Sequence, residues 1–325
     1  HGIGRRQRQM CIRDRGIVYR WEDGVRMILA LLIGCGGSGA DEDDDDGGLV
    51  LGDSGGGAAP SMEQCEAWLA QSQAESTPHS CATDEYRNIV TAMGGAVFPV
   101  GDDRYYVAWI PRDWDGETVV YAVHGSTGCA EMLVDLYAAT AGISYAVLSL
   151  QFRGEAGSQD YDSEATIYDN LQTMHSEVAA SCPVGPASRA YYGYSRGGGR
   201  GYGIAALDGE GAQLFDAFVI DSGTNSLGQL AGTASDALQR ERFWMWCGTL
   251  DPDPTDSSRT TCEVMDQDML PWIEDHSGTV DAFIEEEGAC HGMFFKDCLL
   301  YTSDAADVLY RVGGGGGGGG EEGGG

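Results

Sequence analysis

The stretch GYSRGGGRG, residues 193–201, fits Gly-x-Ser-x-Gly, a tight turn from strand to helix that lifts a serine hydroxyl clear of the backbone. With 50 glycines in 325 residues, composition alone can generate such a match. The flanks decide the reading. RAYYGYS (189–195) is an apolar, aromatic run that reads as a strand, and GGGRGYGIAALDG (197–209) continues as a helix. Ser195 therefore falls where a strand meets a helix N-terminus, whose free amides and dipole favour developing negative charge. Gly193 and Gly197 suit this turn, which leaves no space for side chains two residues either side of the serine.

Two rival readings of the glycine pattern fail. GDSGG (52–56) resembles the nucleophile region of trypsin-like proteases, but Ser54 lies among glycines with no strand before it, and an activated serine needs a rigid scaffold. Gly201-x-Gly203-x-x-Ala206 mimics part of a dinucleotide loop, yet those glycines fall inside the helix rather than in the turn, and no suitably spaced acidic strand end follows.

The ends of the chain read as foreign to the rest. RRQRQMCIRDR (5–15) and CLLYTSDAAD (298–307) resemble translations of the two strands of one short sequencing-adapter DNA, and a glycine run follows the second. Residues 1–15 and 298–325 are accordingly set aside, with the natural C-terminus expected to be missing. Residues 16–35 read as an export signal: an apolar run too short to span a bilayer ends in Leu32-Ile33-Gly34-Cys35, which resembles a bacterial lipobox with Cys35 as the lipidated residue. The acidic, glycine-rich stretch 36–60 reads as a tether, and 61–297 as the folded domain.

That domain carries 37 acidic residues against 11 basic, with Lys296 its single lysine. Such a surface repels polyanions and excludes nucleic-acid binding; it resembles proteins adapted to salty water. Seven cysteines remain in it, which in an exported chain favours disulfides. Cys65 with Cys81 is the expected local pair, and Cys247, Cys262 and Cys290 are expected to cluster near the end of the domain. The spare cysteine suits either a partner in the missing tail or a free buried thiol. No Cys or His spacing suggests zinc, and DPDPTDSSRTTCE (251–263) lacks the glycine and glutamate of a calcium loop. No cofactor is expected.

SMEQCEAWLAQSQ (61–73) reads as a short helix; GAVFPV (95–100) and RYYVAWIP (104–111) read as a hairpin. Strand-like runs follow at 118–125, 145–152, 189–195, 215–223, 242–248 and 279–287. TVVYAVHG (118–125) has no polar face, as suits a strand buried on both sides. Helical runs intervene at 130–142, 163–181, 197–209 and 260–277. A hairpin followed by repeated β-α units implies a mostly parallel sheet covered by helices.

From the hairpin to His291, with its serine turn, the chain resembles the α/β-hydrolase superfamily. The resemblance implies an α/β-hydrolase fold: a mostly parallel central sheet flanked by helices, an N-terminal hairpin and, with only 223–239 between the sixth and seventh strands, no large lid. It implies Ser195 as nucleophile and a histidine after the last strand as base. His291 in EEEGACHGMF occupies that place, with His276 as the alternative. The orienting acid is expected at Asp251, just past the strand RFWMWCG, with Asp253 and Asp221 as substitutes. The oxyanion hole would use the backbone N–H of Arg196 and of Ser126, or Thr127 in its place. His124, Gly125, Thr127 and Tyr194 are expected to line the substrate. Arg196 and Arg153 either contact acidic substrate groups or pair with nearby carboxylates. The implied activity is hydrolysis of carboxylic esters, small or polymer-linked, by an exported protein that meets a membrane only through Cys35 and acts as a monomer. A peptidase of the same fold and a catalytically dead, surface-tethered binding protein are the alternatives.

Overall fold

The computed structural model of the chain describes residues 59–138, 145–154, 160–185, 188–254 and 256–291. The expected signal, lipobox cysteine Cys35, most of the tether and both adapter-like ends lie outside them.

Eight strands form one sheet in the order β1-β2-β4-β3-β5-β6-β7-β8. β1 (Ala96–Val100) and β2 (Arg104–Trp109) make the expected hairpin, closed through Gly101 at φ 57. β2 pairs antiparallel with β4 (Tyr145–Gln151). All further pairings are parallel, through β3 (Thr118–Val123), β5 (Arg189–Tyr194), β6 (Ala217–Asp221), β7 (Arg242–Gly248) and β8 (Thr279–Glu286). β3 and β4 are buried at every residue, as runs without a polar face require. This is the α/β-hydrolase architecture that the sequence implied.

Seven helices flank the sheet among the described residues: α1 (Met62–Leu69), α2 (Glu85–Ala92), α3 (Ala130–Ala138), α4 (Glu164–Ser181), α5 (Arg196–Glu210), α6 (Thr261–Val264) and α7 (Leu270–Asp275). α1 starts in a capping box, Ser61 with Gln64, and α4 is capped by Ser163. Sequence reading did not anticipate α2, which buries Arg87 and Val90. The helix expected over 260–277 is not continuous, because a π turn, Met265–Met269, separates α6 from α7. Pro271 explains the break: it has no N–H to donate and its ring crowds the carbonyl four residues back. Between β6 and β7 the chain runs through turns without a helix, so no lid is built there.

The disulfides correct the expected pairing. Cys65 bonds Cys182, 117 residues away, rather than Cys81. Its side chain lies on the inward face of α1 against the end of α4, while Cys81 sits beside the start of α3 and bonds Cys129. Cys247 bonds Cys262, and Cys290 is disulfide-bonded as well, which removes the free-thiol reading. Loop-closure entropy gives stabilisations of about 5, 4 and 3 kcal/mol for the bridges at Cys65, Cys81 and Cys247 respectively. Thermal unfolding of the three double-alanine variants is therefore expected to rank Cys65/Cys182 as the most damaging; equal midpoints would contradict this entropic account.

The Cys81–Cys129 bridge belongs to a larger brace. Glu131 at the start of α3 is fully buried and receives Arg87 Nε at 2.8 Å and the Tyr105 hydroxyl at 3.0 Å. Arg153 donates to the Ser80 carbonyl at 3.0 Å. The segment before the hairpin is thus fastened on both sides of the loop that follows β3.

Candidate active site

Parallel strands bring their C-terminal ends to one edge of the sheet, where α/β proteins place their ligands. Ser195 follows β5 there, as the residue before α5. Its backbone sits at φ 53, ψ −112, a strained conformation for a non-glycine residue. Neighbouring groups hold it: Ser195 N–H donates to the Asp221 carbonyl at 2.7 Å, and the Tyr191 hydroxyl donates to the Gly197 carbonyl at 2.7 Å. The glycines are required by contact. A Cβ on Gly197 would stand 2.1 Å from the Val123 carbonyl oxygen, and one on Gly193 would stand 2.6 Å from the Gly197 carbonyl carbon.

His291 follows β8. Its Nε2 lies 2.8 Å from Ser195 Oγ, and its Nδ1 lies 2.8 Å from Asp251 Oδ2. A carboxylate only accepts, so Nδ1 donates to it and Nε2 is left to accept from the Ser195 hydroxyl. The two loops that carry His291 and Asp251 are tied together. Leu250 N–H donates to the Ala289 carbonyl, Thr249 N–H to the Glu286 carbonyl, and Gly288 N–H to Thr249 Oγ1. Asp251 is 1 % exposed, and its own carbonyl accepts Thr261 N–H at 2.7 Å. The structure thus brings Ser195, His291 and Asp251 into one hydrogen-bonded chain, the arrangement that turns a serine into a nucleophile.

The substitutes lie elsewhere. Asp253 is engaged by the Thr224 hydroxyl and Asp256 N–H. His276 turns Nδ1 to the Trp272 carbonyl and packs, tilted, against that indole. Asp221 is near but not in the chain: its carboxylate accepts from the Tyr192 and Ser222 hydroxyls in a fully buried position.

Burial pushes Asp221 up to about 6, although both hydroxyls oppose this. For His291 burial acts downward, but the hydrogen bond and charge of Asp251, with the charge of Asp221 behind it, outweigh it and leave the imidazole above its ordinary 6.5. A base must be neutral to accept a proton, so activity is expected to fall as pH drops through a midpoint above 6.5. Asp221→Asn removes one of the anions that raise His291, and the acid limb of kcat/KM is expected to move to lower pH. An unmoved limb would contradict the coupling. Stability carries the matching sign. Because Asp221 is raised when folded, its contribution is present below the unfolded value of 3.8 and lost as pH rises through about 6.

The loop after β3 lies against the serine. A Cβ on Gly125 would stand 3.1 Å from Ser195 Cβ and 3.0 Å from the Tyr194 ring. Both peptide planes of this loop are held from behind. The Gly125 carbonyl accepts from His124 Nδ1 at 2.7 Å and from Gly128 N–H at 3.1 Å. The Ser126 carbonyl accepts from Arg153 at 3.2 Å and from the Tyr161 hydroxyl. In a trans peptide N–H points opposite to C=O, so pinning these carbonyls fixes the amides of Ser126 and Thr127. Arg196 opens α5, where its own N–H has no acceptor within the helix.

His124 is 1 % exposed and packs on Phe152; burial drives its pKa down to about 3 and keeps it neutral. The structure places it beneath the loop as a prop, not at the surface a substrate would reach. Gly125 borders the serine, Thr127 is exposed at the rim, and the Tyr194 ring packs 5.7 Å from that of His291. Sequence reading missed Tyr161, which sits after β4 with nothing local to mark it.

No protein-family profile matches the chain, and no curated protein does. Solved structures similar to it include a putative dienelactone hydrolase from Klebsiella pneumoniae (17 % identity, TM-score 0.48, 67 % of this chain and 95 % of that one). An esterase, Est22, aligns at 12 % identity and TM-score 0.45, over 68 % and 80 % of the two chains. A bacterial brefeldin A esterase, described as a homologue of human hormone-sensitive lipase, aligns at 12 % and 0.45, over 77 % and 91 %. At these values the likeness adds nothing to the reading of the site.

Proposed function

We propose that the protein is a serine hydrolase that cleaves carboxylic esters through an acyl-enzyme. The observation that carries this reading is the chain Ser195–His291–Asp251, joined at 2.8 Å on both sides of the imidazole. His291 takes the Ser195 proton as Oγ attacks the ester carbonyl carbon. The amides of Arg196 and Ser126 hold the oxyanion, and the imidazolium returns the proton to the leaving alkoxide. Water then attacks the acyl-enzyme with His291 again as base, releasing the acid and restoring the Ser195 hydroxyl. Asp251 keeps the ring in the tautomer this requires. The absence of a helix between β6 and β7 favours an open cleft that takes small soluble or polymer-linked esters.

Turnover of p-nitrophenyl acetate and butyrate beside a peptidyl anilide tests the activity. Ester cleavage without anilide cleavage is expected; the reverse would make the protein a peptidase, and neither would make it a binding protein with a dead site. The disulfides Cys65–Cys182, Cys81–Cys129 and Cys247–Cys262 favour an oxidising compartment. No helix among the described residues is long and apolar enough to cross a membrane. A lipid anchor at Cys35 on a monomeric enzyme completes the proposal.

A further inference from the structure

Of the ten arginines among the described residues, seven form ion pairs with carboxylates. In so acidic a chain this is the expected fate of a guanidinium. Arg196 departs from it. It is exposed, it adjoins Ser195, and it has no carboxylate partner among the described residues. Its position is nonetheless fixed. Nε donates to Ser126 Oγ at 3.0 Å, and the guanidinium lies 4.2 Å above the Tyr161 ring. The Ser126 carbonyl is in turn held by the Tyr161 hydroxyl and by Arg153. Both Nη groups are left without a protein acceptor among the described residues. A rigid guanidinium with two free donors beside a nucleophile matches a carboxylate, whose two oxygens it engages together.

We propose that Arg196 forms an anion subsite that makes the enzyme prefer esters bearing a free carboxylate, such as half-esters of short dicarboxylic acids. The stack on Tyr161 and the bond to Ser126 hold the guanidinium in place before substrate arrives, so little side-chain entropy is lost on binding. The tie to Ser126 also sets the anion beside the loop whose amides are proposed to hold the oxyanion. The substrate's carboxylate would therefore be engaged while the neighbouring ester carbonyl reaches Ser195.

This inference rests on the serine-hydrolase reading, and one experiment separates the two. Methanol release is followed from methyl valerate, which is neutral, and from monomethyl glutarate, which has a carboxylate in place of the terminal methyl. The wild-type enzyme, Arg196→Gln, Arg196→Lys and Ser195→Ala are compared, with unfolding midpoints measured for each. The ratio of kcat/KM for glutarate over valerate is expected to fall about tenfold in Arg196→Gln, the usual scale for one charge-assisted contact. Arg196→Lys, which keeps the charge but loses the planar fork, is expected to fall between. An unchanged ratio in Arg196→Gln, with valerate turnover still dependent on Ser195, would overturn the subsite and leave the hydrolase standing. Valerate turnover that survives Ser195→Ala would overturn both.

Discussion

Ser195→Ala is expected to lower kcat/KM for p-nitrophenyl butyrate by at least about ten-thousandfold, leaving only what the oxyanion amides and binding supply. The methyl that remains has no proton for His291 to take and no oxygen to attack with. The fold should not suffer, because Ser195 is held through its backbone, by N–H to the Asp221 carbonyl, rather than through its hydroxyl. Removal of a strained positive-φ serine hydroxyl changes no packing in the core. His291→Ala is expected to cost nearly as much, and the double variant little more than either alone, since the two act as a unit. Additive losses would show that they do not. The measurement is steady-state hydrolysis at a pH above the acid limb, with circular dichroism confirming that each variant is folded.

Among single substitutions, Gly197→Ala carries the largest expected effect on stability. Its Cβ would stand 2.1 Å from the Val123 carbonyl oxygen, 2.7 Å from that carbonyl's carbon and 2.9 Å from the His124 carbonyl oxygen. All three are backbone atoms, two at the end of β3, a strand paired on both sides and buried throughout, and one just past it, so they cannot step aside as a side chain would. The clash is relieved only if α5 lifts from the sheet or the loop at 124–128 is driven outward. Either course opens the core or displaces the proposed oxyanion amides. A loss of about 3–5 kcal/mol is expected, at the upper end of single substitutions, with activity lost in whatever remains folded. Gly228→Ala is the control, because its Cβ would meet only Ser226 Oγ at 3.7 Å. Chemical unfolding of both variants checks this; a Gly197→Ala enzyme as stable as the control would mean that the turn is looser than these contacts imply.

What could be read from the sequence was whatever its local pattern encodes. Strands buried on both faces appear as unbroken apolar runs, so RFWMWCG (242–248) was readable to the residue, and TVVYAVHG (118–125) overran its strand, Thr118–Val123, by two residues. The serine turn was readable because its physics is local: a strand, a glycine two residues either side, and a helix start. Asp251 and His291 were reached through the α/β-hydrolase resemblance, which implies an acid after the seventh strand and a base after the last. The unread parts are those set by contacts far apart in the chain. Cys65 and Cys182 share no local signal, and only the packing of α1 against α4 brings them together. Tyr161 lies in a loop between β4 and α4, and its hold on Ser126 depends on the sheet placing β4 beside β3. The π turn before Pro271 was in part a local effect, since proline inside a helical pattern breaks the ladder at a predictable place. α2 was hidden by its buried Arg87, whose partner Glu131 lies far along the chain.

The central claim is that Ser195 is the nucleophile, activated by His291. Reaction of the folded protein with an alkyl fluorophosphonate, which traps only an activated serine, followed by peptide mass spectrometry, tests it most directly. One equivalent of phosphonate on Ser195 is expected, lost in His291→Ala and outcompeted by ester substrate. Label on another serine, or none while Ser195-bearing enzyme still hydrolyses esters, would contradict it.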